Sequence, residues 1–183
     1  GSAQTNLLVS LTDLSGFHRH TASIDEGEVF HMLSNWYEMT GEIIDGAGGR
    51  VVKFIDDASL IIFDEEHVNQ GVQALLKLKD ETEAFFATKG INTKLMTKAH
   101  FGEVQCGYLG TKNDKRLDVI GKTVNTAIFL ESNGFAISAA LFRKLDPQTR
   151  KLFKKHTPPI TYIPVEERHR DKKPVDRTKV KVS

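Results

Sequence analysis

The chain has 183 residues and a net charge of +1, and its 39% hydrophobic and 27% charged content is typical of one folded globular domain. The small net charge provides no general attraction to nucleic acids or membrane surfaces, and no apolar run reaches the ~20 residues that span a bilayer. We therefore expect no nucleic-acid partner, no membrane contact from this segment, and a cytoplasmic location, even if the parent protein is membrane-anchored. The single cysteine, Cys106, excludes an internal disulfide.

The first half of the chain predicts strands and helices from its apolar periodicity. In order, these are a strand over 6–11, a helix over 25–45, a hairpin of strands 50–55 and 58–63, and a helix over 67–88. The second half predicts shorter elements. These are strands over 93–100 and 103–109 that turn at Phe101-Gly102, a loop over 110–115, a strand ending at Ile120, a helix over 123–132, a strand over 135–138, a helix over 139–145 and a strand over 160–164.

The leading order β-α-β-β-α-β predicts an α+β fold with a ferredoxin-like core and C-terminal extensions. Residues 1–5, which begin Gly-Ser, are expected to be a linker or a remnant of tag cleavage. Residues 6–165 form the predicted domain. Residues 166–183 are expected to be a basic, polar C-terminal extension, because they carry charge without apolar periodicity.

Two aspartates lie where apolar strands end. Asp13 follows the first strand in the run Asp13-Leu14-Ser15-Gly16-Phe17, and Asp57 lies in the hairpin run Lys53-Phe54-Ile55-Asp56-Asp57. Carboxylates held at strand ends can bind hard divalent cations. The local sequence equally allows both to be ordinary turn residues. His18 and His20 alternate in a predicted loop, which favours solvated side chains over metal ligands.

These two runs, together with Arg116-Leu117-Asp118 and Gly121-Lys122-Thr123-Val124-Asn125, resemble the catalytic domain of class III nucleotide cyclases. The resemblance covers about residues 6–165. It implies a domain that converts ATP into 3′,5′-cyclic AMP and pyrophosphate through attack of the 3′-hydroxyl on the α-phosphate. It also implies two divalent cations, Mg²⁺ or Mn²⁺, bound by Asp13 and Asp57.

The resemblance assigns the remaining site residues to parts of the nucleotide. It implies that Lys53 and Asp118 contact adenine and that Asn125 contacts the ribose. It also implies that the backbone of Leu14, Ser15, Gly16 and Phe17 contacts the phosphates. A lysine and aspartate pair is the adenylate signature, because a fixed acceptor suits the 6-amino group of adenine and opposes the carbonyl of guanine. Guanylate members typically carry glutamate and cysteine at these positions.

Two positions depart from the family pattern. Phe129, four residues after Asn125, stands where the family has a catalytic arginine, and Asp56 replaces a glycine. Loss of a comparable arginine in phosphoryl transfer costs about 10³ to 10⁵ in rate. Lys122 and Arg116 are both candidates for a substitute cation. The triphosphate-binding lysine of the family is matched equally well by Lys154 and Lys155, in a predicted basic loop.

The departures leave two functional hypotheses. The first is an adenylate cyclase that is weak in isolation and forms a head-to-tail homodimer, as the family does. The alternative is a degenerate, non-catalytic domain that binds nucleotide or dimerises for regulation, or that pairs with a second cyclase domain in a heterodimer. A nucleic-acid-binding ferredoxin-like domain is disfavoured, because no surface aromatic pair alternates with basic residues.

Overall fold

The computed structural model describes residues 1–169, which contain eight strands, six α-helices and one short 3₁₀ helix, Glu65–His67. In chain order the elements are β1 Ser2–Leu14, α1 Phe17–Thr21, α2 Glu26–Gly46, β2 Arg50–Ile55, β3 Ala58–Asp64, α3 Val68–Thr88, β4 Leu95–Thr111, β5 Asp114–Ile120, α4 Lys122–Phe129, β6 Phe135–Ile137, α5 Ala139–Lys144, α6 Pro147–Arg150, β7 Phe153–His156 and β8 Thr161–Pro164. Within this part of the chain, no helix combines the length and the apolar character that membrane crossing requires.

All eight strands belong to one sheet. The strand order is β2-β3-β1-β4-β6-β8-β7, and β5 pairs with β4 outside this path. β1 is antiparallel to both β3 and β4, while β4 is parallel to β6. The segment β2-β3-β1-β4, connected through α2 and α3, is the ferredoxin-like core that the order of elements predicted. The expected α+β fold with C-terminal additions is therefore confirmed.

The two faces of the sheet are covered unequally. One face packs against α2 and α3 in a large core that includes Leu8, Trp36 and Phe86. The other face carries a smaller cluster with Leu7 and Val9 of β1, and α4 covers part of it. Because side chains alternate along a strand, odd-numbered residues of β1 face α4. This alternation places Asp13 on the less covered face.

The largest difference from the sequence-based prediction is at β4. The predicted turn at Phe101-Gly102 is wrong, because residues 95–111 form one strand that pairs with β1 along Leu95–Gly107. Phe101 belongs to the main core, and Thr123 of α4 lies against Gly102. The glycine therefore allows a close approach of α4 instead of a chain reversal. The reversal falls at residues 112–113, so most of the predicted 110–115 loop is strand.

The chain ends of the predicted domain also differ. Residues 2–5, expected to be a linker, lie in β1 and pair with residues 104–107 of β4. The Glu167 carboxylate, in the expected extension, accepts a hydrogen bond of 3.0 Å from the Phe135 amide. The rest of that extension, residues 170–183, lies outside the described residues.

Several smaller elements were placed differently or not expected. α4 ends at Phe129 and does not continue to residue 132. The short helix α1 was not predicted, nor were α6 and β7, and β7 replaces the start of the predicted basic loop at Lys154 and Lys155. These segments have only four or five residues, too few for a periodic pattern.

Candidate active site

The two predicted metal-binding carboxylates lie side by side. Asp13, at the end of β1, is directly opposite Ala58 of β3, the residue that follows Asp57. The backbone amide of Leu14 donates a hydrogen bond of 3.3 Å to Oδ2 of Asp57. Partial burial and the negative charge of Asp57 raise the pKa of Asp13, while Lys98 opposes this shift. Two neighbouring carboxylates that repel one another suit hard divalent cations, which bind oxygen ligands.

The hairpin tip that carries Asp57 has an unusual backbone. Asp56 has a φ of 56°, in the left-handed region where glycine is favoured and aspartate is better tolerated than most residues. The Tyr37 hydroxyl donates a 2.5 Å hydrogen bond to the Asp56 carbonyl, and the Tyr37 ring stacks on Phe54 at 3.8 Å. Burial and the charges of Asp56 and Asp57 raise the pKa of Tyr37 above its ordinary value. Tyr37, which sequence reasoning missed, thus holds the turn from α2.

The loop over Leu14–Phe17 is fixed at both ends. The Ser15 amide donates to the Lys94 carbonyl at 2.8 Å, and the Lys94 amide donates to the Ser15 hydroxyl at 2.8 Å. Gly16 has a φ of 59° and starts α1, while Phe17 is buried against Phe86. A side chain at Gly16 would be strained by this φ and would meet the Arg19 guanidinium at 2.8 Å.

The predicted base-recognition residues are in contact. Lys53 Nζ lies 3.0 Å from Oδ2 of Asp118, and the Val119 amide donates to Oδ1 of Asp118 at 2.8 Å. Lys53 is opposite Leu60 of β3, so it shares the sheet face of Asp13 and α4. β2 and β4 are separated by two strands, but β5 approaches β2. The β4–β5 hairpin therefore folds over this face and brings Asp118 to Lys53.

Asn125 and Phe129 share one face of α4, as their spacing predicted. Both line a groove of about 550 Å³ together with Lys122 and Ile160. Phe129 is 81% exposed and is the most exposed large hydrophobic residue of the described chain. Of the two candidate substitutes for the arginine, Lys122 lies in this groove, whereas Arg116 is paired with Asp114 on the β5 hairpin. Lys154 and Lys155 lie on β7, outside the groove lining.

The structure adds two residues that sequence reasoning did not place at the site. His18, interpreted as solvated, lies in α1 with Nε2 2.9 Å from Oδ2 of Asp56. Lys98 donates a hydrogen bond of 2.8 Å to the Ile128 carbonyl near the end of α4. Strand alternation around 95–101 could have placed Lys98 on the α4 face. No local signal connected His18 with a hairpin nearly forty residues away.

Known proteins are similar to this chain in sequence and in fold. The sequence profile of the family "Adenylate and Guanylate cyclase catalytic domain" matches residues 2–151. An adenylate cyclase of Anabaena cylindrica is 26% identical over 140 residues, which are 72% of this chain and 28% of that protein. The chain thus spans under a third of that relative.

Two solved structures have the same fold at low sequence identity. The adenylyl cyclase CyaB from P. aeruginosa has a TM-score of 0.79 and 17% identity, with 92% of this chain and 97% of that chain covered. The guanylyl cyclase Cya2 has a TM-score of 0.72 and 17% identity, with coverage of 88% and 92%. At this identity the two structures establish the fold alone. Because the family profile matches most of its length, the chain belongs to the adenylate and guanylate cyclase catalytic domain family.

Proposed function

We propose that this domain is an adenylate cyclase, which converts ATP into 3′,5′-cyclic AMP and pyrophosphate. The observation that carries the choice of adenine is the contact between Lys53 and Asp118. The Lys53 ammonium can donate to adenine N1, and the Asp118 carboxylate can accept from the 6-amino group. Guanine presents a carbonyl where adenine has the amino group, so a carboxylate at this place opposes it. Adenylyl and guanylyl cyclases share this fold, so the fold does not distinguish ATP from GTP. The choice of adenine therefore rests on the Lys53 and Asp118 pair.

Members of this family depend on divalent cations, and the side chains at the hairpin fit them. Asp13 and Asp57 would hold two Mg²⁺ or Mn²⁺ ions through carboxylate oxygens. When bound, such ions lower the pKa of the 3′-hydroxyl and neutralise the triphosphate. The reaction forms the bond between O3′ and the α-phosphorus, breaks the bond to the pyrophosphate oxygen, and releases the hydroxyl proton.

The backbone amides of residues 14–17 are not equally available to phosphate oxygens. The Leu14 amide is bonded to Asp57 and the Ser15 amide to Lys94, so neither is free to face a ligand. We expect the amides of Gly16 and Phe17, at the start of α1, to hold the phosphate oxygens. The absence of a side chain at Gly16 permits a close approach of the ligand.

The proposed cation-binding and base-binding residues are not bonded to one another within one protomer. Within residues 1–169, no hydrogen bond or ion pair connects Asp13 or Asp57 with Lys53 or Asp118. Cyclase domains work as dimers, and a head-to-tail homodimer would place the carboxylates of one copy beside the base- and ribose-binding residues of the other. Such a two-fold arrangement creates two equivalent composite sites. A heterodimer with another cyclase domain would complete one site in the same way.

Phe129 favours a second candidate, a domain that binds nucleotide or dimerises without efficient catalysis. Its exposed ring lies beside Asn125 where a charged donor is expected to stabilise the transition state, and it offers neither charge nor hydrogen bond. For the cyclase proposed first, the same replacement predicts a slow rate in the isolated homodimer. A partner domain that supplies an arginine would increase the rate of one composite site.

The test measures cyclic AMP formed from ATP with Mn²⁺ and then with Mg²⁺, at high protein concentration. Asp57→Ala should abolish product, because it removes a carboxylate of the proposed cation pair. Asp80→Ala, an exposed acid on α3, should retain the wild-type rate. Wild-type protein that dimerises and binds ATP but yields no product would support the non-catalytic candidate.

A further inference from the structure

Three potential metal-binding side chains meet at the hairpin tip. Nε2 of His18 lies 2.9 Å from Oδ2 of Asp56 and 3.5 Å from Oδ1 of Asp57. One ligand atom from each residue lies within 4.8 Å of the others. Among residues 1–169, this is the group of three histidine, cysteine, aspartate or glutamate side chains found at that spacing. Two of the three, His18 and Asp56, play no part in the proposed cyclase reaction.

We propose that His18, Asp56 and Asp57 form a binding site for a borderline transition-metal ion of the Zn²⁺ class. This site differs in ligands from the Asp13 and Asp57 pair, since it replaces one carboxylate by an imidazole and adds Asp56. Imidazole nitrogen suits Zn²⁺ and neighbouring transition metals, whereas Mg²⁺ prefers an all-oxygen environment.

The distances match a common coordination shell. Zn²⁺ binds His nitrogen and carboxylate oxygen at about 2.0–2.1 Å, so the ligand atoms of a tetrahedral site lie about 3.3 Å apart. The two separations from the imidazole nitrogen, 2.9 and 3.5 Å, bracket this value, and one ligand atom from each of the three residues lies within 4.8 Å of the others. Three protein ligands leave the fourth position for water, as in open zinc sites.

The three side chains are presented by two anchored segments, α1 and the β2–β3 turn. His18 follows the buried Phe17, whose ring contacts the imidazole edge-on at 5.8 Å. Asp56 and Asp57 lie in the turn whose carbonyl is held by Tyr37. The His18 side chain is 70% exposed, so as an ion pair alone it would contribute little to stability. A cation bound by all three groups would relieve the repulsion between the two carboxylates.

Asp57 is a proposed ligand both of the Zn²⁺ site and of the cyclase cation pair with Asp13, so the two sites share one carboxylate. A Zn²⁺ ion that engages this carboxylate would compete with Mg²⁺ or Mn²⁺ for it. This consequence rests on the proposed cyclase function, whereas zinc binding itself does not. The two proposals can therefore fail separately.

The experiment titrates Zn²⁺ into the metal-free 183-residue chain in competition with a chelating dye, without nucleotide. Loss of an outer-sphere partner of a metal ligand costs 10–100-fold in affinity, so loss of a ligand should cost at least tenfold. His18→Ala and Asp56→Gly should each weaken the tightest Zn²⁺ equivalent by about tenfold or more. Glycine suits the backbone of residue 56, so the second variant keeps the turn. His20→Ala, which removes the neighbouring histidine, should leave this affinity unchanged.

Asp13→Asn separates this site from the proposed cyclase pair. Retained zinc affinity in this variant, with loss in His18→Ala, supports the assignment. Equal affinity in wild type and His18→Ala overturns it, as does loss in Asp13→Asn without loss in His18→Ala. If the zinc results hold but no cyclic AMP is formed, only the proposed cyclase function fails.

Discussion

The Lys53 ammonium lies 3.0 Å from the Asp118 carboxylate, although 65 residues separate them in the chain. The contact assembles a hydrogen-bond donor and an acceptor on one face of the sheet before any nucleotide binds. Both side chains are partly exposed, and exposed ion pairs contribute about 0–1 kcal/mol. Exchange of this ion pair for contacts with a base therefore costs little.

Exchange of the recognition pair should change the preferred base. We expect Lys53→Glu combined with Asp118→Cys to lower the ratio of cyclic AMP to cyclic GMP by about 10- to 100-fold, because each good pair of base contacts contributes about 1–3 kcal/mol of discrimination. The rates with ATP and GTP, measured in the same buffer, provide the test. Lys77→Glu, which makes the same charge change at an exposed position of α3, should not alter the ratio. An unchanged ratio in the double variant would remove the basis for assigning adenine.

Restoring a cation at residue 129 should increase the rate. We expect Phe129→Arg to raise kcat by about 10³-fold or more, because a positive donor would then lie beside Asn125 in the groove. Removal of the exposed phenylalanine should not destabilise the fold. Ile128→Arg is the matched control, since it adds the same side chain one residue away on α4. Equal rates for both variants would show that charge alone, without position, explains the change.

Tyr37 should stabilise the hairpin that presents Asp57. Tyr37→Phe keeps the stack on Phe54 and removes the hydrogen bond to the Asp56 carbonyl, which is worth about 0.5–1.5 kcal/mol. We expect Tm to fall by about 2–4 °C and Mn²⁺ to bind more weakly. Calorimetry and manganese titration measure the two effects. Tyr162→Phe, at another stacked tyrosine, should leave Mn²⁺ affinity unchanged.

Asp13 should make stability depend on pH in the metal-free protein. Its pKa is raised in the fold, so the folded state favours the protonated carboxyl. Its contribution to stability is then present at pH values below the ordinary value of 3.8 and is lost as pH rises through the folded pKa. Asp13→Asn should therefore raise Tm at pH 7 and reduce the drop in Tm between acidic and neutral pH. Mn²⁺ should raise the Tm of wild type more than that of the variant, and the opposite order would contradict a cation role for Asp13.

The sequence was informative where function depends on short segments with regular periodicity. The location of Asp13 near the C-terminal end of β1 and the turn between β2 and β3 were predictable, because apolar runs are interrupted there by Asp13 and by Asp56-Asp57. The shared face of Asn125 and Phe129 followed from helical spacing. The β4 prediction failed at Gly102 because glycine signals both turns and close packing, and only the position of α4 distinguishes them.

Periodicity and the order of the predicted elements determined the ferredoxin-like core, since periodicity depends on neighbours within a few positions along the chain. The proposed site residues were indicated by the resemblance of short motifs to the cyclase family. Only the tertiary structure placed Asp118 against Lys53, because the β4–β5 hairpin must fold over the sheet before the two meet. The same holds for His18 beside Asp56 and for Tyr37 beneath the hairpin tip. These contacts join segments whose spacing in sequence is arbitrary, and packing of the core against α2 and α3 determines which of them meet.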